Sequence, residues 1–207
     1  MKWAMTHLDD IGWAAWEHLV LVVVSVMVAF LISIVVGIWA SRRPGIYALI
    51  MGITGVLYTI PSLALLAFLI PLVGLGRVPA IIGLVSYSLL ILIRNIATGI
   101  REVPPEVLEA AKGMGMNARQ LLFTVELPLA TPVIIAGVRI ATVTLIGIAT
   151  IAAYINAGGL GTLIFSGIYQ TFPAKIIVGA GLASAMAVAS DVTLSRLERR
   201  LRASRAA

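Results

Sequence analysis

Chemistry needs reactive groups within reach of one another, and this chain of 207 residues offers few such groupings. It has no cysteine, which excludes disulfides and thiolate metal sites. His7 and His18 lie near the N-terminus with no Cys or His partner at ligand spacing, and read as solvated or interfacial. None of the lysines (Lys2, Lys112, Lys175) precedes a Ser or Thr, so there is no G-x-x-x-x-G-K-[ST] phosphate loop. Without that cradle the chain is not itself an ATPase, and no nucleophile stands beside a base. The expectation is a protein that is not an enzyme and holds no metal or cofactor. Two other kinds of polar residue remain. Glu106, Glu109 and Glu126 share one polar segment. Tyr87, Asn95, Thr142, Thr144, Arg139 and Asp191 interrupt apolar runs, where the first four can line a polar path.

Those runs decide the solvent. Hydrophobic residues make up 60% of the chain and charged ones 12%, about half the charge of a soluble domain. A bilayer core of about 30 Å needs roughly 20 apolar residues in helix. Leu19–Ala40 is uncharged and ends at Arg42 and Arg43. A broken helix is expected over about Tyr47–Phe68, because Pro61 and Pro71 interrupt it, with a turn or re-entrant piece before Arg77. Further spans are expected at about Pro79–Ile93, Leu129–Tyr154 and Ala174–Leu194. The fold expected is therefore all-α and integral to the membrane, with five spans. Residues 1–18 form an outer-surface segment, in which Trp3, Trp13 and Trp16 suggest a short interfacial helix. Residues 19–195 form one membrane domain, and residues 196–207 a basic tail with Arg196, Arg199, Arg200, Arg202 and Arg205.

Orientation follows from the charges. The net charge of +6 has no basic stripe with interleaved aromatics, so it indicates the positive-inside rule rather than nucleic acid. With the N-terminus outside, Arg42–Arg43, the 101–128 segment and the basic tail all fall in the cytoplasm. Small residues at every fourth position (Ser25, Ala29, Ser33, Gly37, and again Gly179, Ala183, Ala187) predict close helix packing. Arg139 is expected to snorkel to the interface, or to pair with Glu126 or Asp191.

The polar segment is patterned. Pro104 and Pro105 suit a helix start, with Glu106 and Glu109 near its positive end. Gly113 and Gly115 can end that helix, and Asn117 with Gln120 can cap a second one ending near Pro128. On physics alone the pair reads equally well as interfacial helices resting on headgroups. The spacing goes further. Glu109-Ala110-Ala111, then Gly115, then Val125-Glu126-Leu127-Pro128 resembles the EAA motif of ABC-importer permeases, with Val125 where isoleucine is usual.

That resemblance implies a type I importer permease core similar to methionine permeases, in the bacterial inner membrane with the C-terminus in the cytoplasm. It implies a coupling loop of Glu109, Ala110, Ala111, Met114, Gly115, Met116, Leu127 and Pro128, docked on a cytoplasmic ATPase dimer that binds ATP and magnesium. A second permease, identical or paralogous, and an extracytoplasmic substrate-binding protein complete the expected assembly. Thr59-Ile60-Pro61-Ser62-Leu63-Ala64 and Asn156-Ala157-Gly158-Gly159-Leu160-Gly161 resemble permeases of osmoprotectant importers, which implies glycine betaine, choline or carnitine as cargo. An amino acid such as methionine is the alternative cargo, and an ion-coupled secondary transporter the rival class. The rival would normally show inverted repeats or mid-span acids. No clear repeat is visible, and Asp191 is the acid closest to mid-span.

Overall fold

Each long apolar run forms helix, because backbone groups out of reach of water must bond within their own segment. The computed structural model describes residues 2–203; Arg205 of the expected tail lies outside them. The helices are α1 (Lys2–Thr6), α2 (Leu8–Ser41), α3 (Pro44–Thr59), α4 (Ser62–Val73), α5 (Arg77–Arg101) and α6 (Pro105–Gly113), then a short α7 (Ala118–Gln120). A π-helical stretch, Leu121–Glu126, joins α7 to α8 (Leu127–Ala152), which ends in a 3-10 turn at Ala153–Ile155. α9 (Leu160–Tyr169) and α10 (Pro173–Ala203) follow. The described residues include no strand. Among the described residues four helical stretches are long and apolar enough to cross a membrane, and α3 with α4, bent by 96°, pass the same test as a pair, which makes five if the pair is one broken span.

Several boundaries differ from those expected. α2 runs unbroken for 34 residues, about 51 Å at 1.5 Å per residue, so Trp13 and Trp16 ride on its extension rather than on a separate surface helix. Only α1 is separate. Its Trp3 stacks on His7 and meets Phe172 edge-on at the α9–α10 turn. Likewise α10 continues through Arg196, Arg199 and Arg200, since no Gly or Pro interrupts Leu182–Ala203. Pro61 does end α3, but Pro71 lies inside α4, close to its C-terminus where little helix remains to be broken. The glycine-rich stretch after Asn156 contains a helix of its own, α9.

α5 is the central element, packed along α2 on one side and α8 on another, while α10 packs on α8 and α9. The small-residue stripe of α2 explains the closeness. Ser25, Ala29, Ser33 and Gly37 are all buried, and a Cβ at Gly37 would stand 2.7 Å from the Ile96 side chain. The α10 stripe behaves similarly, with Gly179 against Leu160, Leu163 and Ile164.

His18 is a correction. It is fully buried on α2, with Nε2 3.1 Å from the Ile146 carbonyl of α8 and Nδ1 facing Gly159. Its apolar neighbours lie far away in sequence, so local context misjudged it. Beside it the Glu17 carboxylate pairs with Arg77 and accepts from the Gly159 amide at 3.2 Å. The Gly76 amide donates to the Ile155 carbonyl at 2.8 Å. Together these contacts tie the starts of α5 and α9 to α2.

Tight packing at that end makes a prediction. A Cβ at Gly161 would collide with the Thr150 carbonyl and come 2.7 Å from the Ala153 side chain. Gly161→Ala should destabilise the chain by about 2 kcal/mol, the usual scale for overpacking. A lower unfolding midpoint in detergent than that of Gly181→Ala, which meets nothing within 4 Å, checks it.

Candidate functional site

The segment matching the EAA pattern is built from two caps. α6 starts at Pro105, where a missing N–H is harmless, and Glu106 lies in its first turn. It runs through Gly113 and ends one step later than a stop at Gly113 would require. The Gly115 amide donates to Lys112 O at 2.9 Å and the Met116 amide to Ala111 O at 3.2 Å, with Gly115 at φ +83°. That is a Schellman end, and it places a left-handed residue at 115, where glycine is unstrained. Asn117 then accepts from the Arg119 and Gln120 amides, while Gln120 Oε1 accepts from the Asn117 amide at 2.9 Å. This is a complete capping box. Two locally specified ends therefore fix the elbow without help from the rest of the fold.

The second helix does not end near Pro128. It passes through Pro128 and becomes α8, a continuous rod from Ala118 to Ile155. Pro128 has no N–H to offer the turn before it, and its ring crowds that turn. The wider π-helical turns of Leu121–Glu126, closed by Leu127 N bonding Leu122 O, accommodate the ring without a break.

Within this frame Glu109, Ala110, Gly115 and Pro128 are exposed, and Met114 is 72% exposed. Met116 and Leu127 are half-buried, and Ala111 is buried. The first alanine of the pair is thus free for contact, whereas the second packs inward.

Glu126 occupies the unspecified position of the motif, and its importance was not visible in sequence. It is 1% exposed, and its carboxylate takes a bidentate grip from Arg42 at the end of α2, with Nη1 2.7 Å from Oε1. Arginine is charged at any physiological pH, and hydrogen bonding to Glu126 raises the pKa of Arg42 further. Arg101 reinforces the same corner by donating to Ala40 O at 2.9 Å and Ser41 O at 3.1 Å while covering the Tyr47 ring. α2, α3, α5 and the π-helical stretch are thereby joined where the basic residues cluster. A carboxylate beside Leu-Pro and an arginine at a span end were the available signals, but each has many possible partners.

Of the groups proposed to line a path, Tyr87 is only 4% exposed and donates its hydroxyl to Ile60 O at the α3–α4 break. Asn95 bonds Ile91 O at 2.8 Å and packs against Gly137. Thr142 bonds Val138 O and borders an open groove of about 710 Å³ between α2, α8 and α10. Thr144 is half-buried on α8. Arg139 does not reach the interface alone: its Nε meets Asp191 at 2.8 Å and its Nη1 meets Glu198 at 3.1 Å, both on α10. Of the two acids weighed for it, Asp191 is the partner and Glu126 is not.

Residues 29–203 match the family model described as binding-protein-dependent transport system inner membrane component. The chain belongs to that family. The choline transport system permease protein OpuBB of Bacillus subtilis (strain 168) is 41% identical over 97% of this chain and 93% of its own length. The carnitine transport permease protein OpuCB of Listeria monocytogenes is 41% identical over 90% of this chain and 85% of its own. A chain of the inward-facing MetNI methionine ABC transporter superposes with a TM-score of 0.84 at 24% identity, covering 92% of this chain and 95% of that one. It shows the type I importer fold. The permease is accordingly a transport subunit of an ABC importer and not an enzyme, and it spans the inner membrane several times. Membership implies a partner ATPase that uses ATP and a substrate-binding protein.

The Glu126–Arg42 pair makes the next prediction. Glu126 is buried while Arg42 is 45% exposed, so removing Arg42 leaves a buried carboxylate without its partner. Arg42→Ala should lower stability by about 2 kcal/mol, the scale of an unsatisfied buried polar group, and adding Glu126→Gln should restore at least half of that. Thermal unfolding of the purified permease, read as a double-mutant cycle, measures both.

Proposed function

We propose that this permease forms one half of the pathway of an ATP-driven importer for a quaternary ammonium solute such as glycine betaine, choline or carnitine. What supports the cargo is the likeness to choline and carnitine permeases across nearly the whole chain. The observation that carries the coupling role is the α6 elbow: a capped, rigid helix with Glu109, Ala110 and Met114 open to solvent. With the N-terminus outside, this elbow lies in the cytoplasm, where the ATPase dimer with its ATP and magnesium docks. The other members are a second permease, identical or paralogous, and a binding protein that meets the outer end near the Asn156–Gln170 segment.

The mechanism follows from stiffness. Exposed Ala110 permits close approach by a partner, and Glu109 can accept hydrogen bonds there. Movement of the ATPases would push α6, which packs on the π-helical stretch and has Ala111 buried. That stretch continues into α8, so the push reaches the middle of the membrane without crossing a flexible joint. Arg42 carries it sideways into α2 through Glu126. The permease would thus supply alternating access, while selectivity resides mainly in the binding protein, where aromatic rings can hold a methylated ammonium.

Glu109→Lys changes an exposed residue, so the unfolding midpoint should stay within about 2 °C of wild type, in keeping with the small effect of surface substitutions. ATPase co-purification and ATP-driven uptake should each fall at least about tenfold, the scale of one lost charged contact. Unchanged association and uptake would refute the coupling role. Proteoliposomes holding permease, ATPase and binding protein should accumulate labelled glycine betaine or choline only with ATP. Uptake by the permease alone on an ion gradient would defeat the importer reading.

A further inference from the structure

We propose that the break between α3 and α4 is a mid-membrane subsite for the ammonium head of the solute, with Tyr58 as its cation–π face. The proposal rests on the quaternary ammonium reading of the cargo.

Depth comes first. The break is pinned to Tyr87 of α5, whose hydroxyl donates to Ile60 O. Tyr87 lies ten residues from Arg77 and fourteen from Arg101, or about 15 Å and 21 Å along the helix. The break therefore sits close to the middle of the bilayer. There α3 stops at Thr59, α4 starts at Ser62, and the chain turns by 96°. Pro61 has no N–H, and among the described residues no donor reaches the Tyr58 or Thr59 carbonyl. The Ile60 carbonyl is met by Tyr87 and that of Pro61 by Leu65 N.

Two bare carbonyls at that depth cannot face hydrocarbon, where each would cost several kcal/mol. Broken backbone in a span survives only against protein or a water-filled cavity. Yet Thr59 and Pro61 are exposed on this chain, and Tyr58 is 39% exposed. The exposed side of the break therefore faces the second permease and the path between the two rather than lipid.

The chemistry offered there suits one kind of head group. Tyr58 and Tyr87 meet edge-to-face with centroids 5.9 Å apart, so Tyr87, held by Ile60, fixes the Tyr58 ring. An aromatic face and carbonyl oxygens, with no carboxylate, attract a diffuse methylated cation weakly, without the strong ion pair that would trap it. Arg94, the nearest cation along α5, lies seven residues from Tyr87 toward Arg101, about 10 Å on. Tyr87, singled out from sequence, becomes the supporting residue, and Tyr58 the one that touches the solute.

The test uses the complete importer in proteoliposomes with labelled choline and glycine betaine. Tyr58→Leu should cut uptake about tenfold, within the range of a cation–π contact. Stimulation of ATP hydrolysis by the loaded binding protein should stay unchanged. Tyr58→Phe and Tyr58→Trp should retain uptake. Mono-, di- and trifluoro-phenylalanine at position 58 should then lower uptake stepwise, because fluorine drains the ring face while scarcely altering its shape. Uptake that ignores fluorination, or Tyr58→Leu equal to wild type, would overturn the subsite. If the wild-type importer carries neither solute, the cargo reading fails instead, so the two failures are separable.

Discussion

A bilayer core has no water to satisfy a backbone amide or carbonyl, and each feature of this permease answers to that. The spans are helical because helix alone closes every bond within its own segment. Where regularity lapses, something specific compensates. At Pro128 the helix widens into π turns rather than stopping, so the rod continues from Ala118 to Ile155. At Pro61 it does stop, and Tyr87 supplies the hydroxyl that Ile60 would otherwise lack. The Tyr58 and Thr59 carbonyls are left without a donor among the described residues, and they are where the solute subsite is proposed.

Because lipid offers no hydrophobic gain for helix association, the bundle depends on closeness and on a few polar ties. Closeness comes from the buried face of α2, where Ser25, Ala29, Ser33 and Gly37 let α5 approach. The ties lie mainly at the two ends. Glu17 joins Arg77 and Gly159 at one end, Arg42 joins Glu126 at the other, and Arg139 lies between Asp191 and Glu198. Charge pairs formed where water is scarce are weakly screened and set which helices are neighbours. They hold register more than they add stability, since desolvation offsets much of their attraction.

A subunit of this kind must move as a few stiff bodies, and the distribution of order suits that. The proposed ATPase contact is stiff because a Schellman end and a capping box fix both sides of Gly115. α3 and α4 are lightly embedded, with only Thr54, Leu65 and Leu66 buried, and they carry the one sharp bend among the described spans. Motion delivered through α8 and α2 would therefore reach a lightly embedded, bent pair packed on α5.

Much of this was legible in the sequence because it is local. Span count follows from apolar length. The elbow follows from Gly115, Asn117 and Gln120, whose bonds reach no more than five residues, and the stripe on α2 follows from helical period. What the sequence could not assign were partners. His18 looked solvated, yet it reaches Ile146, 128 residues away. Glu126 and Arg42 pair across 84 residues, and Arg139 reaches 52 and 59 residues onward. An isolated charge specifies only that it needs a counter-charge, and several lie at similar depth. Which one it meets depends on which helices are adjacent, and adjacency is set by the close packing of small residues, a property of the assembled bundle. The same holds for Tyr58 and Tyr87: the bend at Pro61 decided that Tyr87 is buried against the Ile60 carbonyl while Tyr58 is left partly exposed.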